Sequence, residues 1–246
     1  MVTASRNYVC IRPNSFEDED ESELLLSIFS GRQGRLENTV FTLMDSGAKR
    51  ELVRSGRSPK WISDDADDFV EILTDVSVKH PQSSKGKSEE RSLPVIEGLK
   101  LAMNVAACDA MPLVVAVAKS EKAKKKMGEL LAPLAWSDDF IGRFRWVVLS
   151  DTKELSEHEG MPTEAGVYVI QPDAYGVSCE LLAEAKSSAK SKQVGEALAE
   201  GLAAFEAPRI RRRGLHVREG ERKGYSWEHA TGHSERVPFT GKKSDG

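Results

Sequence analysis

The sequence predicts an α/β protein built around a mixed central sheet, and three observations carry that prediction. Leu113 to Ala118 is an unbroken apolar run of strand length, the pattern of a strand covered on both faces. Arg145 to Leu149, apolar from Trp146 on, is the next strand, set off from the first by a long helical stretch, as parallel neighbours require. Gly166 to Gln171 and Val177 to Leu182 flank Pro172, Asp173, Ala174, Tyr175 and Gly176, as the two arms of a hairpin flank their turn.

Taken in order, Tyr8 to Arg12 is a short apolar strand candidate, and Pro13, Asn14 and Ser15 mark a helix entrance. Ser15 is the expected cap, Glu17 to Asp20 suit the positive end of the helix dipole, and Leu24, Leu25, Ile28 and Phe29 give the apolar stripe. That acidic run lacks the alternating oxygen ligands and glycine turn of a calcium loop. Gly31 to Asn38 reads as a loop, and Thr39 to Met44 with Arg50 to Val53 as a hairpin across Asp45, Ser46 and Gly47. After the basic stretch Arg54 to Pro59, the acids of Asp64 to Asp68 open a helix carrying Phe69, Ile72, Leu73 and Val76. This gives β-α-β-β-α over residues 1–80, and 81–93 has the composition of a linker.

Residues 94–206 read as a second domain, beginning with an amphipathic helix from Pro94 to about Cys108. The apolar strand follows, then a helix with Met127, Leu130 and Leu131 that is expected to kink near Pro133. Arg145 to Leu149 is a strand, Thr152 to Glu159 a short helix, the hairpin comes next, and Ser188 to Phe205 closes the domain. Residues 207–246 form a basic tail that includes Tyr225, Trp227 and Phe239.

The chain length of 246 residues accommodates two such domains, each with its own core. A hydrophobic share of 39% with 30% charged residues excludes a disordered or fibrous chain. The longest apolar runs fall far short of the roughly 20 residues that cross a bilayer, so no membrane span is expected. The N-terminus lacks the basic start, apolar stretch and cleavage site of a secretory signal, which points to the cytoplasm, or to the periplasm if the true start lies upstream. Cys10, Cys108 and Cys179 are too dispersed for a disulfide framework or a four-thiolate zinc site, and each reads as a small buried hydrophobe. Cys108 is the candidate reactive thiol.

The order α-β-α-β-α-β-β-α over Pro94 to Phe205, carried by MPLVVAVA, RWVVLSD and GVYVIQPDAYGVSCELL, resembles the thioredoxin fold, a three-layer α/β sandwich. The initial strand of the longer form of that fold is missing from this reading. The first region resembles the C-terminal part of the same fold: YVCIRP as third strand, the Ser15 helix, TVFTLMDSGAKRELV as hairpin, and the Asp64 helix last. The strand and helix that would bear redox cysteines there are absent, and Asn38 and Thr39 stand where a proline-threonine junction would be.

Redox exchange of the thioredoxin kind needs a thiolate at a helix N-terminus and a resolving cysteine two residues later. The equivalent position holds Lys119, Ser120, Glu121 and Lys122, with Ser120 a helix cap. The resemblance also implies a cis-proline before the hairpin, for which Pro162 is the candidate. No catalytic residue and no cofactor are identified, so the expectation is a redox-inactive binding or scaffold module and not an enzyme. The alternative is a divergent or truncated thiol-disulfide oxidoreductase whose cysteines lie upstream of Met1.

A protein partner is expected on the basic helix, Lys119, Lys122, Lys124, Lys125 and Lys126, or on the tail, whose Arg209, Arg211, Arg212 and Arg213 open it. The net charge of -4 and the lack of aromatic residues among these cations argue against nucleic acid. His216, His229 and His233 offer imidazoles without a strong further ligand, so they are weak metal candidates.

Overall fold

The computed structural model describes residues 2–5, 7–13, 18–30, 34, 36, 39–81, 92–207 and 213–225. They form two compact units, one holding the described residues up to Pro81 and the other those from Ser92 to Tyr225.

The second unit is built on a four-stranded mixed sheet of order β2-β1-β3-β4, from β1 (Leu113–Val117), β2 (Arg145–Leu149), β3 (Gly166–Pro172) and β4 (Cys179–Lys186). Strands β1 and β2 are parallel, with Val115 beside Val147, while β3 is antiparallel to both β1 and β4. Every residue of β1 is buried, because successive side chains point to opposite faces and both faces are covered. Leu113, Val115 and Val117 face α4 (Leu99–Asp109) through Leu99, Met103 and Ala106. Val114 and Ala116 lie on the other face, in one cluster with Leu131 of α5 (Glu121–Ala135) and Val194 and Leu198 of α6 (Ser191–Ala204). A Cβ at Gly201 would fall 2.4 Å from a methyl of Val169, so glycine is what lets α6 lie this close to β3.

Several expected boundaries move, each for a local reason. Helix α4 begins at Leu99, not Pro94, because Gly98 turns the chain at φ +83° and the preceding residues run along β2. There Val95 bridges Trp146 in parallel, and the Ile96 amide donates to the Trp146 carbonyl at 2.8 Å. The Leu99 amide is capped from afar by Glu154 Oε2 at 2.9 Å. Helix α5 runs through Pro133, which sits in its last turn and forfeits only the bond to the Glu129 carbonyl. Strand β4 starts two residues late because Asp173 Oδ1 accepts the amides of Val177 (2.7 Å) and Ser178 (3.2 Å), holding both in the turn. Residues 152–159 form only a 3-10 turn, Glu154–Glu157, and α6 starts at Ser191.

The ends of the second unit differ from expectation too. Leu93, expected in the linker, is buried in the core with Trp146, and the Trp136 indole donates to the Ser92 carbonyl at 2.8 Å. Part of the tail is the helix α7 (Arg213–Arg222), which docks on the β3–β4 turn. Among the described residues no helix is long and apolar enough to cross a membrane.

The first unit holds α1 (Val2–Ser5), α2 (Glu19–Ile28), a 3-10 turn (Pro59–Trp61) and α3 (Ala66–Lys79), and its core cluster is Ala4 of α1 and Phe69, Leu73 and Val76 of α3 with Leu43. Tyr8 to Arg12 is not a strand, since among the described residues no second strand lies alongside to form a ladder, and Val9 and Ile11 are exposed. Ser15 lies outside the described residues. The cap of α2 is Asp18, which accepts the Glu21 amide at 3.0 Å. The expected hairpin is reduced to two bridges, Phe41 with Gly56 and Met44 with Glu51. Its turn is fixed by Asp45 Oδ1, which accepts the Lys49 amide (2.9 Å) and the Arg50 amide (3.3 Å); these bonds hold the Asp45 carboxyl below its usual pKa. Helix α3 starts as the acids predicted, with Asp65 accepting the amides of Asp67 and Asp68.

Candidate functional site

Parallel strands point their carboxyl ends the same way, and α/β sheets characteristically leave a binding crevice there. In the second unit that end opens as a cleft of about 590 Å³, lined by Ala118 and Lys119 after β1, Ser150 to Thr152 after β2, Thr163 to Ala165 before β3, and Ser187 after β4. The wall is polar: four hydroxyls, one ammonium and two carboxylates, with only Ala118 and Ala165 contributing apolar side chains. Such a surface suits a hydrogen-bonding chain or group better than an apolar ligand.

Local bonds fix this wall. The Ala118 amide donates to the Leu149 carbonyl at 2.9 Å, prolonging the β1–β2 pairing to the cleft edge. Asp151 Oδ1 accepts the Lys153 amide at 2.9 Å. The Tyr168 hydroxyl donates to the Glu164 carbonyl at 3.0 Å and so holds the loop before β3. Burial first, then Glu184 and Glu164, raise the Tyr168 pKa.

Of the four residues expected at the redox position, only Lys119 lines the cleft. Ser120 caps α5, its Oγ accepting the Ala123 amide at 3.3 Å, and Glu121 occupies the first turn. Lys122 is exposed, as are Lys125 and Lys126, while Lys124 is half-buried. The peptide bond before Pro162 is trans. Four residues, Pro162 to Ala165, precede β3, long enough to enter the strand without the tight junction a cis bond makes. Pro162 instead leads into the cleft-lining residues Thr163 to Ala165.

The cysteines are elsewhere and none is fully buried. Cys108 is exposed near the end of α4, beside the start of β1, and Cys179 begins β4, opposite the last residue of β3. Both therefore stand at the edge of the sheet opposite the cleft, while Cys10 is exposed in the first unit. Burial, reinforced by Asp173, pushes the Cys179 thiol up to about 11. At pH 7.5 maleimide is expected to leave Cys179 unmodified while it consumes Cys10; peptide mapping showing the reverse order would refute the assignment. Because the folded thiol titrates above the ordinary cysteine value of 9.0, its contribution to stability is present below pH 9 and declines as pH rises through about 11.

His216 is not placed as a metal ligand. Its ring stacks on Tyr175 at 4.3 Å and 3°, its carbonyl accepts the Tyr175 hydroxyl, and the Lys223 ammonium lies 5.0 Å from the Tyr175 ring centroid. Tyr225 packs there as well, at 5.3 Å. Among the described residues no group of three or more histidine, cysteine or acidic side chains is arranged for a metal. His229, His233, Arg209, Arg211, Arg212, Trp227 and Phe239 lie outside the described residues.

Sequence reasoning missed Asp151, Thr163, Glu164 and Ser187. The signal available for Ser150 to Thr152 and for Lys119 was position alone, immediately after two strands predicted to be parallel. Thr163, Glu164 and Ser187 become neighbours only through the pairing of β3 and β4. No protein-family model, curated protein or solved structure matches this chain.

Proposed function

We propose that the second unit is a redox-inactive, thioredoxin-like binding module that takes an acidic polypeptide on the face formed by the cleft and the basic start of α5. The observation that carries this reading is the cleft itself: where such a fold would present its thiolate, Lys119 stands at the mouth, and Cys108 and Cys179 are at the far edge. The fold assignment is supported by the element order and by the layering, with α4 on one face and α5 and α6 on the other. The parallel contact of Val95 with Trp146 comes before α4, where the longer form of that fold carries its initial strand. Among the described residues of the tail, His216 and Tyr225 are engaged with Tyr175.

The partner class follows from charge. Lys119, Lys122, Lys125 and Lys126 are exposed within two turns, against Glu121 and Glu129, so the positive charge of this face lies on the start of α5, while the cleft wall adds the carboxylates of Asp151 and Glu164. A labelled deca-glutamate peptide should bind the full chain at low salt and weaken as salt rises. The triple variant Lys122→Glu, Lys125→Glu, Lys126→Glu should lose about tenfold or more in affinity; unchanged binding would reject this face. Insulin reduction in the presence of dithiothreitol should proceed at the uncatalysed rate, and clear turnover abolished by Cys108→Ser would overturn the redox-inactive reading.

A further inference from the structure

The first unit displays an aromatic platform among cations that neither its fold nor the cleft accounts for. Trp61 is 53% exposed, yet its ring is fixed from behind: a Cβ at Gly56 would lie 2.8 Å from Trp61 Cγ, so the indole rests directly on the glycine backbone. Gly56 is pinned in turn, exchanging two backbone hydrogen bonds with Phe41 at 2.7 and 3.1 Å. The 3-10 turn that carries Trp61 is capped by Ser58, whose Oγ accepts the Lys60 amide and whose carbonyl accepts the Trp61 amide at 3.0 Å. The Arg54 guanidinium lies 5.7 Å from the ring centroid.

Around this platform the chain is locally basic although the whole is acidic. Lys49, Arg50, Arg54, Arg57 and Lys60 are all exposed, and between Lys49 and Trp61 only Glu51 opposes them, its carboxylate accepting the Ser55 amide. Of the acids that follow, Asp65 caps α3 and Asp68 accepts the Asp64 amide, while Asp64 and Asp67 are exposed at the start of that helix. A preformed aromatic face gives a base a place to stack, and Arg54 in the return limb of the bridged hairpin, with Arg57 and Lys60 following Gly56, offers cations to a phosphate backbone on either side of it in sequence. An acidic peptide would use the cations and leave the indole idle.

We propose that the Arg54 to Trp61 segment is a binding site for single-stranded nucleic acid, with Trp61 stacking one base and Arg54, Arg57 and Lys60 contacting phosphates. The site is independent of the cleft in the second unit. The test is fluorescence anisotropy of a labelled twelve-residue oligothymidylate with the full chain, read across a salt series, alongside inorganic polyphosphate and deca-glutamate as competitors. Binding should weaken steeply with salt, and binding should quench tryptophan emission. Trp61→Leu should lose about tenfold in affinity, whereas Trp61→Phe, which keeps a ring on Gly56, should retain most of it. Arg57→Glu with Lys60→Glu, both surface changes, should lower the affinity and flatten the salt dependence. The proposal is overturned by absence of binding, by equal competition from polyphosphate together with no effect of Trp61→Leu, by preferential capture of deca-glutamate at this segment, or by binding that follows the α5 lysines instead.

Discussion

Gly201→Leu is expected to destabilise the second unit by about 3 kcal/mol or more, with a matching fall in the urea midpoint followed by circular dichroism. Even the first carbon of such a side chain would meet Val169 at 2.4 to 3.0 Å, on the buried side of α6. Alanine should bring part of the penalty, since its Cβ makes the same clash, while the better helix propensity of alanine returns roughly 1 kcal/mol. Val169→Ala removes the opposing methyls at 2.4 and 3.0 Å but keeps the Cβ at 2.6 Å, so combining it with Gly201→Ala should relieve part of the clash and cost less than the sum of the two single changes. Strict additivity in that cycle would mean that α6 does not rest on Val169.

Ile170→Ala is the second change of large effect, with an expected loss of about 2 to 5 kcal/mol. The side chain is fully buried in the cluster with Leu99, Met103 and Leu155, and it sits at the register shift where β4 carries one extra residue opposite Val169 and Ile170. Removing three carbons there leaves a void that a strand already bent by the bulge is poorly placed to close. Denaturant unfolding measures it; a loss under 1 kcal/mol would mean that α4 can settle into the space.

Much of the second unit is legible because its signals are local. The run Leu113 to Val117 needs no context to read as a central strand, and Ser120 reads as a cap from its place before an acidic first turn. What was missed is set by partners far along the chain. Pro94 to Glu97 follows β2 only because Trp146 is there to bridge Val95, and the start of α4 depends on Glu154, which no spacing near Leu99 reveals. In the first unit, Val9 and Ile11 have the composition of a strand, but a ladder needs a neighbour and the described residues supply none. The cysteines illustrate the same limit, since residue type suggested burial and position in the fold gave exposure at Cys10 and Cys108. Half of the cleft was readable from strand ends; the half contributed by Thr163, Glu164 and Ser187 depends on the hairpin folding back over β1.

The bulge in β4 and the single bridge beside β2 bear on how partners can approach. At one margin of the sheet, β4 is bent and carries exposed Glu180, Glu184 and Lys186, which penalise a flat incoming strand. At the other, Val95 and Ile96 already occupy part of the rim of β2. Sheet extension is thereby discouraged on both sides, so a polypeptide ligand of this unit should be read by its side chains and its charge, and scrambling the order of an acidic peptide should matter less than neutralising it.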